Sequence, residues 1–159
     1  MSAAATVADL DPVVLGDLEH ELWLLLRRVR RNVAERAQAV EPGLTALGYG
    51  VLDQLLRDGS GRAADIGCTV GADKGAMSRT VHQLVDLGLV ERTVDPEDAR
   101  ALVLSLSEHG RDRMREVTEH RRARFLGLMS GWTNAELSDL VAGLTRYNAT
   151  VEAAVASAD

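Results

Sequence analysis

The sequence predicts a mainly α-helical fold carrying one small β-hairpin. Apolar residues recur at steps of three and four along most of the 159 residues, the period of a helix that buries one face. That period gives way to alternation once, in the runs LVERTV (89–94) and ALVLSL (101–106) on either side of the charged segment DPEDAR. Only 3% of residues are aromatic while 46% are hydrophobic, so the core has to be built from Leu, Val and Ala, which suits packed helices.

Taken in order, a first helix is expected from about 12 to 39, with Leu15, Leu18, Leu22, Leu25, Val29 and Val33 on one stripe, Trp23 and Leu26 widening it, and Pro42-Gly43 ending it. Thr45 is the expected N-cap of a second helix, with Leu47, Val51, Leu52, Leu55 and Leu56 inward and Gly59 as its stop. A short third helix is placed at 62 to 70, broken by Gly71. Asp73 should cap the fourth by accepting from the amide of Ala76, with Met77, Val81 and Leu84 inward and Gly88 closing it. The hairpin follows, too small to stand without the helices before it. Ser107 caps a fifth helix. The stretch WTNAEL starts a sixth, with Thr133 as N-cap, Glu136 completing a capping box and Trp132 placed to staple on Leu137. Leu137, Leu140, Val141, Leu144, Tyr147 and Val151 share one face of that last helix.

The totals bound the rest. This length suits one domain, 1–159, with a real core. A single cysteine, Cys68, excludes an internal disulfide and fits a reducing compartment. The N-terminus lacks a basic start and an apolar run, and nothing approaches ~18 uninterrupted apolar residues. A cytoplasmic protein is expected. The net charge of −6 argues against indiscriminate polyanion binding and says little about a local basic face.

One local departure from that charge stands out. The run from Lys74 to Gln83 contains Lys74 and Arg79 and no carboxylate. With Met77, Val81 and Leu84 inward, the outward positions are Lys74, Gly75, Ser78, Arg79 and His82. Three helices followed by a two-stranded wing make the winged helix-turn-helix arrangement, in which the second helix of the pair enters the DNA major groove. Arg79 has the geometry to fork onto guanine O6 and N7, and Ser78 or His82 to serve a base edge or a phosphate.

Residues 44 to 110 resemble the MarR family of bacterial transcriptional regulators, on the stretches LTALGYGVLDQL, ADKGAMSRTVHQLVDLGLVER and DPEDARALVLSLSEHG. The last is similar to that family's wing pattern, here Asp98, Arg100 and Leu106-Ser107. The resemblance implies a winged helix-turn-helix region, 44–107, flanked by dimerisation helices at 12–39 and 108–155. It implies a homodimer on a near-palindromic double-stranded operator. Wing residue Arg100 would reach the minor groove, with Asp98 holding its guanidinium. The regulator would be a repressor released by a small, anionic or aromatic effector, for which Trp23, Arg27 and Tyr49 are the candidate pocket residues; the alternative for Trp23 and Tyr49, and the one favoured by their residue type, is a place in the core.

The competing class is a winged-helix module that binds a partner protein through the hairpin. No Gly-rich phosphate loop, nucleophile motif or paired-carboxylate signature points to an enzyme. His20, His82, His109 and His120 lack ligand spacing, so neither a metal nor a cofactor is expected. Cys68, expected half-buried and without a resolving thiol, is not expected to sense oxidants.

Overall fold

The structure, a computed structural model, describes residues 10–95 and 102–157. Helix α1 (Pro12–Val40) starts where Asp11 accepts from the amide of Val13 at 2.8 Å and proline occupies its first turn. It ends because Glu41 precedes Pro42 and is held extended (φ −155°, ψ 129°). Thr45 accepts from Gly48 N and opens α2 (Ala46–Asp58), which stops at Gly59 with φ 81°.

A departure from expectation follows. Residues Ser60–Arg62 form a strand, β1, before α3 (Ala63–Val70). The sequence predicts a two-stranded hairpin; the structure has a three-stranded antiparallel sheet. Its central strand β3 (Leu102–Leu106) pairs on one side with β2 (Val90–Val94) and on the other with β1. Three residues, Ser-Gly-Arg, are too few to show alternation, and only the partner strand makes them a strand.

The turn from α3 into α4 (Lys74–Asp86) requires the left-handed Gly71, φ 67°, with Ala72 N donating back to Gly67 O at 2.9 Å. The other end of α4 closes in the same way. Gly88, φ 67°, donates to Val85 O, and Leu89 N donates to Leu84 O. These two closures fix the angle at which α4 leaves the core.

Met1–Thr118 forms one compact unit. Its core joins Val51, Leu52 and Leu55 of α2 to Met77, Val81 and Leu84 of α4, with Leu104 and Leu106 of β3 and Met114 of α5 (Glu108–Leu128). Leu56, expected inward, is exposed; Leu52 and Leu55 already fill the buried face of α2. The start of α5 is sewn to the end of α4. Ser107 N donates to Leu89 O, Ser107 Oγ donates to Gly88 O at 2.6 Å and accepts from Gly110 N at 2.9 Å. Arg113 fans its guanidinium over the last carbonyls of α1, donating to Ala39 O and Val40 O at 2.8–3.0 Å. A cation there offsets the negative end of the helix dipole.

Only Ala37 and Val40 of α1 are buried. The predicted stripe on its first two thirds is present but open: Leu15, Leu18, Leu25 and Val29 are all exposed.

The second unit, Glu119–Asp159, holds the last turns of α5 and α6 (Asn134–Ala156). The capping box forms as expected: Thr133 Oγ1 accepts from Glu136 N, and the Glu136 carboxylate accepts from Thr133 N at 2.8 Å. None of the 23 residues of α6 is buried. Among the described residues no helix is long and apolar enough to cross a membrane.

Candidate nucleic-acid interface

Helix α4 presents two faces. Met77, Thr80, Val81 and Leu84 are buried, and the five positions named from the sequence, Lys74, Gly75, Ser78, Arg79 and His82, are all exposed. The first turn carries no acidic residue and begins on a lysine, which opposes the helix dipole by about 0.3–1 kcal/mol. Among the described residues neither Lys74 nor Arg79 makes an ion pair. This cationic end is not explained by folding.

Gly75 and Arg79 are linked by space. A Cβ at Gly75 would lie 3.2 Å from Asp73 Oδ1 and 3.5 Å from Arg79 Nη1, so the guanidinium lies back over the first turn of α4. Long helical side chains lean that way. The result is a planar five-donor group at the helix N-terminus, the positive end of the helix dipole.

Asp73 keeps that terminus formed. Its Oδ1 accepts from Ala76 N at 2.8 Å. The Ala76 amide first, then that of Gly75, holds its carboxyl below the usual carboxylate range; the Arg79 charge adds a little and desolvation opposes. Because the folded value lies below the unfolded value of ~3.9, the cap contributes fully above that pH and is lost as pH falls through the folded value. Urea titrations of the parent and Asp73→Ala should therefore show a constant difference in midpoint from neutral pH down to about pH 5, shrinking below about pH 4. A difference independent of pH down to about pH 2 would remove the carboxylate from this role.

Wing residues Asp98 and Arg100 lie outside the described residues. The strand ends that carry them are described. Asp95, at the exit of β2, is 8% exposed and is bonded by Arg62, with Nε at 2.8 Å and Nη2 at 2.6 Å from Asp95 Oδ2. Sequence reading misses this pair, because 33 residues separate its members and only the unforeseen strand β1 brings them together.

The three candidate effector residues are not gathered. Arg27 stacks over the Trp23 ring at 5.5 Å, and the ring is exposed. Tyr49 is a core residue, 4% exposed, and its buried hydroxyl has no hydrogen-bond partner among the described residues. A cavity of about 450 Å³ lies elsewhere, between Arg31, Ala34, Glu35 and Gln38 of α1 and residues 43–46 at the entry to α2; Trp23, Arg27 and Tyr49 do not line it. Cys68, expected half-buried, is exposed, since Ile66 and Gly67 take the buried positions of α3. Among the described residues no cluster of His, Cys, Asp and Glu is placed to hold a metal.

Residues 43–101 match the model of the MarR family. That segment spans α2, β1, α3, α4 and β2, the elements just described. Over those residues the chain is similar to the MarR family. It is 24% identical over 124 residues to the HTH-type transcriptional repressor MdtR of Bacillus subtilis (strain 168), covering 78% of this chain and 79% of that one. The crystal structure of Rv1404 from Mycobacterium tuberculosis is 27% identical, covers 93% of this chain and 96% of its own, and superposes with a TM-score of 0.70. The crystal structure of a mutant MarR from E. coli, complexed with operator DNA, is 22% identical with a TM-score of 0.63, over 85% of this chain and 94% of its own. The chain shares its fold with these two solved structures.

Proposed function

We propose that the chain is a dimeric, sequence-specific DNA-binding transcriptional regulator, a repressor released by a small-molecule effector. The observation that carries the reading is the exposed N-terminal face of α4: Lys74, Gly75, Ser78, Arg79 and His82 with no carboxylate among them, on a helix whose other face is anchored in the core. Helix-turn-helix proteins place that end of the second helix against base edges. Arg79 is the base reader, bidentate on guanine. Lys74 takes phosphate, Gly75 lets the DNA backbone come close, and Ser78 and His82 serve either a base edge or a phosphate. At the wing, Arg100 enters the adjacent minor groove and Asp98 orients it. The operator-bound MarR and the repressor MdtR support this use of the fold.

Dimerisation is supported by what each unit leaves uncovered. Helix α1 exposes Val13, Leu18, Trp23, Leu25 and Val29, and α6 exposes Leu140, Val141, Leu144, Tyr147 and Val151. A 23-residue helix with no buried side chain gains too little from its own chain to stay formed in isolation. A second copy covers both faces and sets two α4 helices about one DNA turn, ~34 Å, apart.

The effector is taken as anionic or aromatic, because Arg27 with Trp23 and Arg31 at the 450 Å³ cavity offer cation and π surface. It releases DNA only by binding better to a helix spacing that misses successive grooves.

The test is selection of duplexes from a random-sequence pool by the full chain. The reading expects an enriched near-palindrome with half-sites about 10 base pairs apart, bound by two copies. If no sequence is enriched, the protein-interaction reading replaces this one.

A further inference from the structure

We propose that Arg62 is a positioning residue for the wing: with Asp95 it forms a strap across the central strand that fixes the base of the hairpin and so its reach to DNA. The proposal rests on the DNA-binding reading above.

The sheet order is β1-β3-β2, so β1 and β2 lie two strand spacings apart, about 9.6 Å. Arg62 ends β1 opposite Val103, while Val94, the neighbour of Asp95, ends β2 opposite Leu102. The ion pair therefore crosses β3 at the point where the chain returns from the hairpin tip. Both donors, Nε and Nη2, meet the same oxygen, Asp95 Oδ2, at 2.8 and 2.6 Å. The carboxylate is nearly buried and the arginine half-exposed.

Arg62 also departs from the other helix starts. Asp11, Thr45, Asp73, Ser107 and Thr133 each turn a side chain onto an amide of the helix they begin. Arg62 holds the N-cap position of α3 and makes no such bond. Its guanidinium goes to the wing instead. Since α3 packs on α4, one residue joins the helix pair that reads the major groove to the hairpin that reaches the minor groove. A fixed angle between them lets both contacts form at once without ordering the hairpin on binding, and such preorganisation appears as affinity.

The test uses the full chain, the duplex selected above, and Arg62→Gln, Asp95→Asn and the double variant. Each single variant is expected to bind at least tenfold more weakly, to lose hydroxyl-radical protection at the outer, minor-groove flanks, and to keep its base preference at the central positions. The double variant should lose no more than either single. In the free protein, amide exchange at the facing ends of β2 and β3 should quicken while α4 stays protected. Unchanged affinity and flank protection would overturn the proposal. So would a loss in the double equal to the product of the singles, or a loss of central base preference together with α4 protection, which would mark a domain merely destabilised. A pool that yields no duplex sinks the DNA-binding reading instead, and unchanged exchange at the strand ends sinks the strap on its own.

Discussion

Gly110→Ala is expected to remove about 3 kcal/mol or more of folding stability, the upper range for an overpacked position. An added Cβ would stand 2.1 Å from the carbonyl oxygen of Leu89 and 2.9 Å from its carbon. The obstacle is backbone, and it is pinned: Leu89 O accepts from Ser107 N at 3.1 Å, while Leu89 N donates to Leu84 O. Neither partner can withdraw without breaking the closure of α4 or the start of α5. The sign is informative in itself, because alanine is about 1 kcal/mol better than glycine inside an unconstrained helix. Against a total of about 5–15 kcal/mol for a domain, such a loss lowers the urea midpoint steeply. A variant as stable as the parent would mean that α5 packs further from the α4–β2 turn than the structure places it.

Removing residues 133–159 is expected to abolish assembly and, with it, specific DNA binding. The deletion takes away α6 and its exposed row of Leu140, Val141, Leu144, Tyr147 and Val151. It leaves residues 1–132, which contain the unit Met1–Thr118 with its own buried core. Sedimentation should show a monomer, or the chain should be insoluble through its remaining open face on α1. With one recognition helix per particle, the gain from binding two half-sites at once disappears, a factor of about 10²–10⁴. A soluble truncated chain that still bound the two-half-site duplex with full affinity would remove the dimer from the account.

The helices are legible from sequence because their signals are local. The caps at Thr45, Asp73, Ser107 and Thr133 each depend on an amide three residues away, and the buried rows of α2 and α4 repeat within one turn. The cationic face of α4 is legible for the same reason. What depends on distant partners is not. Strand β1 exists only through its pairing with residues 103–105, and the Arg62–Asp95 strap depends on β1. The candidate effector residues fail to gather because sequence does not say which aromatic goes inside: Tyr49 takes the core and Trp23 the surface. The exposure of Cys68 escapes a sequence reading because the eight residues of α3 give too short a row to fix its face.

The central claim is that α4 reads bases through Arg79 while the wing supplies charge. Binding isotherms for Arg79→Ala and Arg100→Ala, on the selected duplex and its single-base variants over a range of salt, test it most directly. Arg79→Ala should lose about 1–3 kcal/mol of discrimination at one symmetric pair of positions and bind elsewhere with the parent's preferences. Arg100→Ala should weaken binding evenly across sequences and flatten the salt dependence by about one unit of slope for each phosphate charge that a subunit no longer neutralises. If Arg79→Ala instead lost affinity equally on every sequence, Arg79 would be a phosphate clamp, and its assignment as the base reader would be wrong.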